Sequence, residues 1–184
     1  PRSAIAGIRR NEQTAAAKRV GVTDLRFLGY PDGRLVPTLE LRKDISRVIR
    51  QVRPQRVLTQ CPQRNYSRIY ASHPNHLAAG EAALCAVYPD ARNPFTFTEL
   101  VEQEQLEAWT VHDVWRMGGP SPQHPVDITD QIERKMAALM CHQSQHPDPA
   151  QMETRVRAWG ATIAEQFGLG PGRAAEAFQV IDTR

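Results

Sequence analysis

Two imidazoles stand three residues apart in the segment Ser72-His73-Pro74-Asn75-His76-Leu77. A proline in a helix's first turn is tolerated because the N–H it lacks has no partner there anyway, so Pro74 predicts a helix that opens here and runs through about Val87. Spacing of three sets His73 and His76 on neighbouring positions of one turn. Nitrogen donors so placed suit a metal ion or a reacting carbonyl. The helix N-terminus also favours neutral imidazole over imidazolium, which suits His76 as a metal ligand. Asn75 stands between them, where it could hydrogen-bond one of the rings. The residues alone also fit a plainer arrangement, with His73 as the N-cap and His76 as a surface side chain. Two histidines do not complete a catalytic zinc site, which takes three protein ligands.

The elements that must position these residues follow from periodicity. Ala4 to Arg19 reads as a helix ending at Gly21, and Leu25 to Gly29 as a short strand. Tyr30-Pro31-Asp32-Gly33 is a turn. Leu41, Ile45, Val48, Ile49 and Val52 form the apolar stripe of a helix capped by Thr38 and stopped at Pro54. Arg56 to Thr59 is a second strand, and the polar loop from Gln60 to Ser72 leads to the histidines. Beyond a loop from Pro89 to about Thr110, Val111–Met117 and Val126–Ile128 read as extended. Thr129 is expected to cap a helix from Asp130 to about His142, a last long helix covers about Ala150 to Phe167, and Ala177–Ile181 reads as a closing strand. Strands separated by helices predict an α/β fold with a parallel or mixed sheet, expected to be mostly parallel, and helices on both faces, here a single domain over residues 1–184. Ligands in such sheets sit outside the carboxyl ends of the strands, so the loops after Leu28 and Thr59 are the places for chemistry.

Composition narrows the class. At 184 residues, 41% hydrophobic and 23% charged, the chain can bury a core without disulfide or metal staples. No stretch approaches the roughly 20 apolar residues of a membrane span. The net charge of +3 comes from 20 Arg and only three Lys, scattered among Asp and Glu, and aromatics are 7%. Nucleic-acid binding would want a basic stripe with stacking aromatics, and is not expected. Cys61, Cys85 and Cys141 are odd in number and far apart, so cytoplasmic thiols are expected rather than a disulfide framework. Gly168-Leu169-Gly170-Pro171-Gly172 follows a helix rather than a strand and is no nucleotide loop.

Four elements together carry a resemblance: Gly29-Tyr30-Pro31-Asp32-Gly33-Arg34-Leu35, then Arg53-Pro54 before a strand, then His73-Pro74-Asn75-His76, then Cys141-His142-Gln143-Ser144-Gln145. Their order and spacing resemble the PIG-L/LmbE-type zinc-dependent N-deacetylases, over nearly the whole chain. The resemblance implies a Rossmann-like three-layer sandwich and a hydrolase that removes an acyl group from an amino sugar or related amide. It implies His76 as a zinc ligand, and His73 as the histidine that stabilises the oxyanion and helps protonate the leaving amine. Asn75 stands where the family usually has an aspartate that tunes that histidine. Arg9 with Glu12 resembles an R-x-x-E element whose arginine faces the substrate, and Asp32 is expected to line the same cleft. From the residues alone, Arg9 paired with Glu12 and Asp32 shaping its turn fit as well. The family's first strand ends in Ala-His-Pro-Asp-Asp, which supplies further zinc ligands and the general base. That segment does not precede Arg9 here, and His146-Pro147-Asp148 is read as a loop coincidence.

The expectation is therefore a cytoplasmic, zinc-dependent deacetylase of actinobacterial-like type, acting on a small N-acetylated amino sugar. No membrane or nucleic-acid partner is expected, and homo-oligomerisation is left open. The chain alone is expected to be inactive, with an open sheet edge that favours association. The alternative is a non-catalytic sugar- or partner-binding domain of the same fold.

Overall fold

The computed structural model describes residues 4–184. Among these residues, six α-helices and four strands alternate: α1 (Ile5–Arg19), α2 (Leu39–Val52), β1 (Arg56–Gln60), α3 (Pro74–Cys85), α4 (Thr98–Glu102), β2 (Asp113–Met117), β3 (His124–Asp127), α5 (Ile132–Leu139), α6 (Pro149–Gln166) and β4 (Ala175–Asp182). The strands form one sheet in the order β1-β2-β4-β3. β1 runs parallel to β2, with Arg56 opposite Asp113 and Gln60 opposite Met117. β4 runs antiparallel to β2, Asp182 opposite Asp113. The fold is α/β as expected, but the sheet is mixed rather than mostly parallel. Alternation of side chains marks a segment as extended without encoding its direction.

Helix boundaries follow local chemistry. Thr38 accepts from the Leu41 N–H at 3.3 Å and starts α2, and Arg53 ends it in the left-handed region ahead of Pro54. Pro74 is the first residue of α3. Asp148 caps α6 by accepting from Gln151 N–H at 2.9 Å, ahead of Pro149, which gives the His146-Pro147-Asp148 run a local purpose. Thr129 does not cap the next helix. Its hydroxyl donates to Asp127 at 2.6 Å and accepts from the Ala174 N–H, so a 3₁₀ turn over Thr129–Gln131 intervenes and α5 starts at Ile132. Leu25–Gly29 is not a strand. No neighbouring strand supplies a ladder within the described residues, and Phe27 and Leu28 stay 41% and 42% exposed. The loop after Pro89 contains α4.

Two units divide the chain. The first, residues 1–27 and 125–176, holds α1, α5 and α6 and buries Ala16, Ala17, Met136, Ile163 and Ala164. The second, residues 28–124 and 177–184, holds α2, β1, α3, α4, β2 and most of β4. Its core packs Ile49 of α2, Ala86, Val87, Ala91, Val111 and Val114 of β2, with Ile45, Val57, Leu84 and Trp109 against them. Arg50, 2% exposed, lies beside this core and donates to the carbonyls of Asp90, Ala91, Asn93, Thr96 and Leu106. Arg42 makes a bidentate pair with the buried Asp90 at 2.7 and 2.8 Å. Together these arginines of α2 fasten the segment that follows α3.

Candidate active site

The site is built where β1 ends and α3 begins, both in the second unit. Beyond Gln60 the ladder continues for one residue, Cys61 N–H donating to the Met117 carbonyl at 2.9 Å. The loop then folds on itself. Ser72, buried, accepts from Asn65 N–H at 2.8 Å, while the Asn65 side chain accepts from Ser67 and from Arg68 N–H. The loop thus delivers His73 at a fixed point, and the return of α3 is fixed by Gly80. A Cβ there would lie 2.2 Å from the Gln60 carbonyl oxygen, so the helix backbone rests directly on the end of β1. Backbone cannot rotate aside as a side chain can. Gly80→Ala is accordingly expected to destabilise the protein by about 1–3 kcal/mol, read as a lower denaturant midpoint at unchanged m-value; an unshifted midpoint would refute the close contact.

His73 serves as the N-cap of α3. Its Nδ1 accepts from Asn75 N–H at 3.2 Å, and its carbonyl accepts from His76 and Leu77 N–H at 2.9 and 3.1 Å. In the neutral ring the proton therefore sits on Nε2, the nitrogen that the cap leaves available as a donor. The His73 and His76 rings have centroids 5.4 Å apart and planes tilted by 49°, and both side chains are exposed. His73 thus takes the capping place of the plainer arrangement, with His76 at the surface, and its Nε2 is left outside the cap bond. The Asn75 side chain turns to neither ring. Its Nδ2 donates to Asp32 Oδ1 at 2.6 Å and its Oδ1 accepts from Leu35 N–H at 3.4 Å. Asp32 is thereby brought to the start of α3 from 43 residues away.

The turn that carries Asp32 is held at a second point. Gly33 closes it at φ 77°, a conformation that glycine adopts without strain. Tyr30 Oη donates to Asp44 of α2 at 2.8 Å. Burial, and then the bonded Asp44 carboxylate, push the Tyr30 hydroxyl from its ordinary 10 up to about 12. The folded state therefore holds this proton more tightly than the unfolded chain does. The stability that this contributes is complete below pH 10 and is lost as the pH rises through about 12. Tyr30→Phe should abolish that component, so the stability difference between wild type and variant should narrow over this window in denaturant melts. A constant difference would contradict it.

Arg9 and Glu12 lie on α1 in the first unit. Glu12 does more than pair along its own helix: its carboxylate accepts from Ser144 N–H at 2.7 Å and Ser144 Oγ at 2.8 Å. Those bonds, the backbone one first, hold its carboxyl below the usual carboxylate range, and Arg9 adds to the effect. The R-x-x-E and Cys141–Gln145 elements are thus one contact, which neither spacing reveals. Gln145 Nε2 lies 3.4 Å from His142 Nδ1 beside it.

Imidazole nitrogen is the right donor chemistry for zinc, and His73 and His76 offer it. Among the described residues, however, no group of three or more His, Cys, Asp and Glu side chains is placed to hold an ion. Two imidazoles are fewer than the three protein ligands a catalytic zinc site takes. The arrangement can present imidazole donors, a carboxylate and a helix N-terminus to a polar ligand.

Comparisons with known proteins agree with this picture. The PIG-L family model, described as GlcNAc-PI de-N-acetylase, matches residues 1–87, the part that contains Arg9, Asp32, His73 and His76. Diacetylchitobiose deacetylase of Thermococcus kodakarensis is 32% identical over 140 residues, 76% of this chain and 50% of the relative. A protein of Bacillus anthracis named probable N-acetyl-alpha-D-glucosaminyl L-malate deacetylase 2 is 30% identical over 149 residues, 78% of this chain and 58% of the relative. The chain therefore spans only half to three-fifths of the length of these curated relatives. The crystal structure of N,N'-diacetylchitobiose deacetylase from Pyrococcus horikoshii superposes with a TM-score of 0.85 at 28% identity, covering 97% of this chain and 64% of that one. The fold, the motif order and these relatives agree in likening the chain to the PIG-L family, whose model matches its residues 1–87.

Proposed function

We propose that this chain is part of a zinc-dependent deacetylase that hydrolyses the N-acetyl group of a small glucosamine-type sugar in the cytoplasm. The observation that carries the reading is the His73–His76 pair at the carboxyl end of β1, with Asp32 held beside it. The relatives' names supply the substrate class, since each is a deacetylase of an N-acetylated amino sugar. His76 is the residue of this chain assigned to the metal, which when bound would polarise the acetamide carbonyl and activate water. His73, protonated on Nε2, is placed to donate to the developing oxyanion and to the leaving nitrogen. Asp32 accepts hydrogen bonds from sugar hydroxyls. The test is zinc content and acetate release from N,N'-diacetylchitobiose by the full-length protein. Stoichiometric zinc with acetate release is expected, and their joint absence would overturn the reading.

A second reading, a non-catalytic sugar-binding domain, is favoured by the incomplete donor set among the described residues and by Asn75. It predicts sugar binding without acetate release in the same assay.

A further inference from the structure

The link between Asn75 and Asp32 is a contact that the sequence does not announce. Asp32 sits in an exposed turn and Asn75 in the first turn of α3, and a single amide joins them. Its Nδ2 donates to the Asp32 carboxylate at 2.6 Å while its Oδ1 accepts from Leu35 N–H at 3.4 Å. The orientation of the amide is fixed by chemistry, because the carboxylate can only accept and the backbone N–H can only donate. Only a side chain with one donor and one acceptor can satisfy both sides at once. An aspartate at position 75 would keep the Leu35 bond but set two carboxylates at hydrogen-bond distance, where like charges repel. Residue 75 is also adjacent to His76 and gives its own N–H to His73. The carboxylate of the turn and the two imidazoles thus share one anchoring residue.

We propose that Asn75 is a positioning residue that fixes Asp32 as a hydrogen-bond acceptor for hydroxyls of an amino sugar at the His73–His76 site. The proposal rests on the deacetylase reading for its ligand, but the coupling of residues 32 and 75 stands apart from it. Both single variants and the exchanged pair test it: Asn75→Asp, Asp32→Asn, and Asn75→Asp with Asp32→Asn. In the exchanged pair the amide introduced at position 32 donates to the carboxylate introduced at position 75, which still accepts from Leu35 N–H. The clip then re-forms with donor and acceptor reversed.

The measurements use the full-length protein with zinc added, glucosamine as the binding probe, and denaturant unfolding. With Asp at position 32, Asn75→Asp should weaken glucosamine binding about tenfold and lower the unfolding midpoint; with Asn at position 32 the same change should cost less than about twofold and leave the midpoint in place. In turnover of N,N'-diacetylchitobiose, the Asn75→Asp loss should fall on KM rather than kcat, as for an interaction used in binding. An equal cost in both backgrounds would overturn the proposal, as would an Asn75→Asp protein that binds glucosamine like wild type. If the full-length wild-type protein neither binds glucosamine nor releases acetate, the deacetylase reading fails and the sugar role of Asp32 falls with it. The unfolding midpoints would then show separately whether the pair is coupled.

Discussion

Replacing His76 by alanine in the full-length protein is expected to reduce acetate release by roughly a thousandfold, the scale of losing several kcal/mol of Lewis-acid stabilisation of the transition state. Zinc content should fall with it. The side chain is exposed and sits in the first turn of a helix that is anchored elsewhere, by Gly80 on β1 and by the His73 cap. Folding stability should therefore stay within about 0.5 kcal/mol of wild type, as for substitutions away from the core generally. That separation makes the result interpretable, because activity disappears while the melt does not move. Unchanged turnover would remove His76 from the site. A protein that unfolds in proportion to its lost activity would show that the histidine is structural.

Replacing Arg50 should give the opposite pattern, a large loss of stability from a residue far in sequence from the histidines. Its guanidinium is buried and spends its donors on five backbone carbonyls between Asp90 and Leu106. Burial pushes its pKa below the usual arginine value, against the opposing pull of Glu107, Asp90 and Glu99. The Ala91 and Asn93 carbonyls also accept from Trp109 and Thr96 N–H at 2.9 and 3.1 Å, so the guanidinium matters most to those of Asp90, Thr96 and Leu106. Arg50→Met would leave several of them buried without a donor, at an expected cost of about 3–5 kcal/mol. Arg50→Lys should recover only part of this, because an ammonium cannot fan its donors across so wide a set. Urea unfolding at constant m-value measures both variants, and a loss below about 1 kcal/mol for Arg50→Met would show that water replaces the guanidinium.

The elements legible in the sequence are those whose causes lie within a few residues. Thr38 and Pro54 bracket α2 as read, and Pro74 opens α3. Each is a contact between a side chain or ring and the adjacent turn of backbone. Thr129 shows where such reading fails. Its hydroxyl suits a cap, but Asp127 and the distant Ala174 N–H compete for it and win. Leu25–Gly29 fails for a related reason: an extended segment becomes a strand only when a neighbour supplies the ladder, and its own residues do not specify that neighbour.

The same division runs through the site. That two imidazoles share the first turn of a helix following a strand was legible residue by residue, because a proline, a strand end and a spacing of three are local facts. Tertiary structure alone decided that the Asn75 side chain serves Asp32 rather than a histidine, that Glu12 holds Ser144 across 132 residues, and that β4 runs against β2. An amide, a carboxylate or a strand offers the same donors and acceptors to any partner, so which partner it meets is set only when packing brings distant segments together.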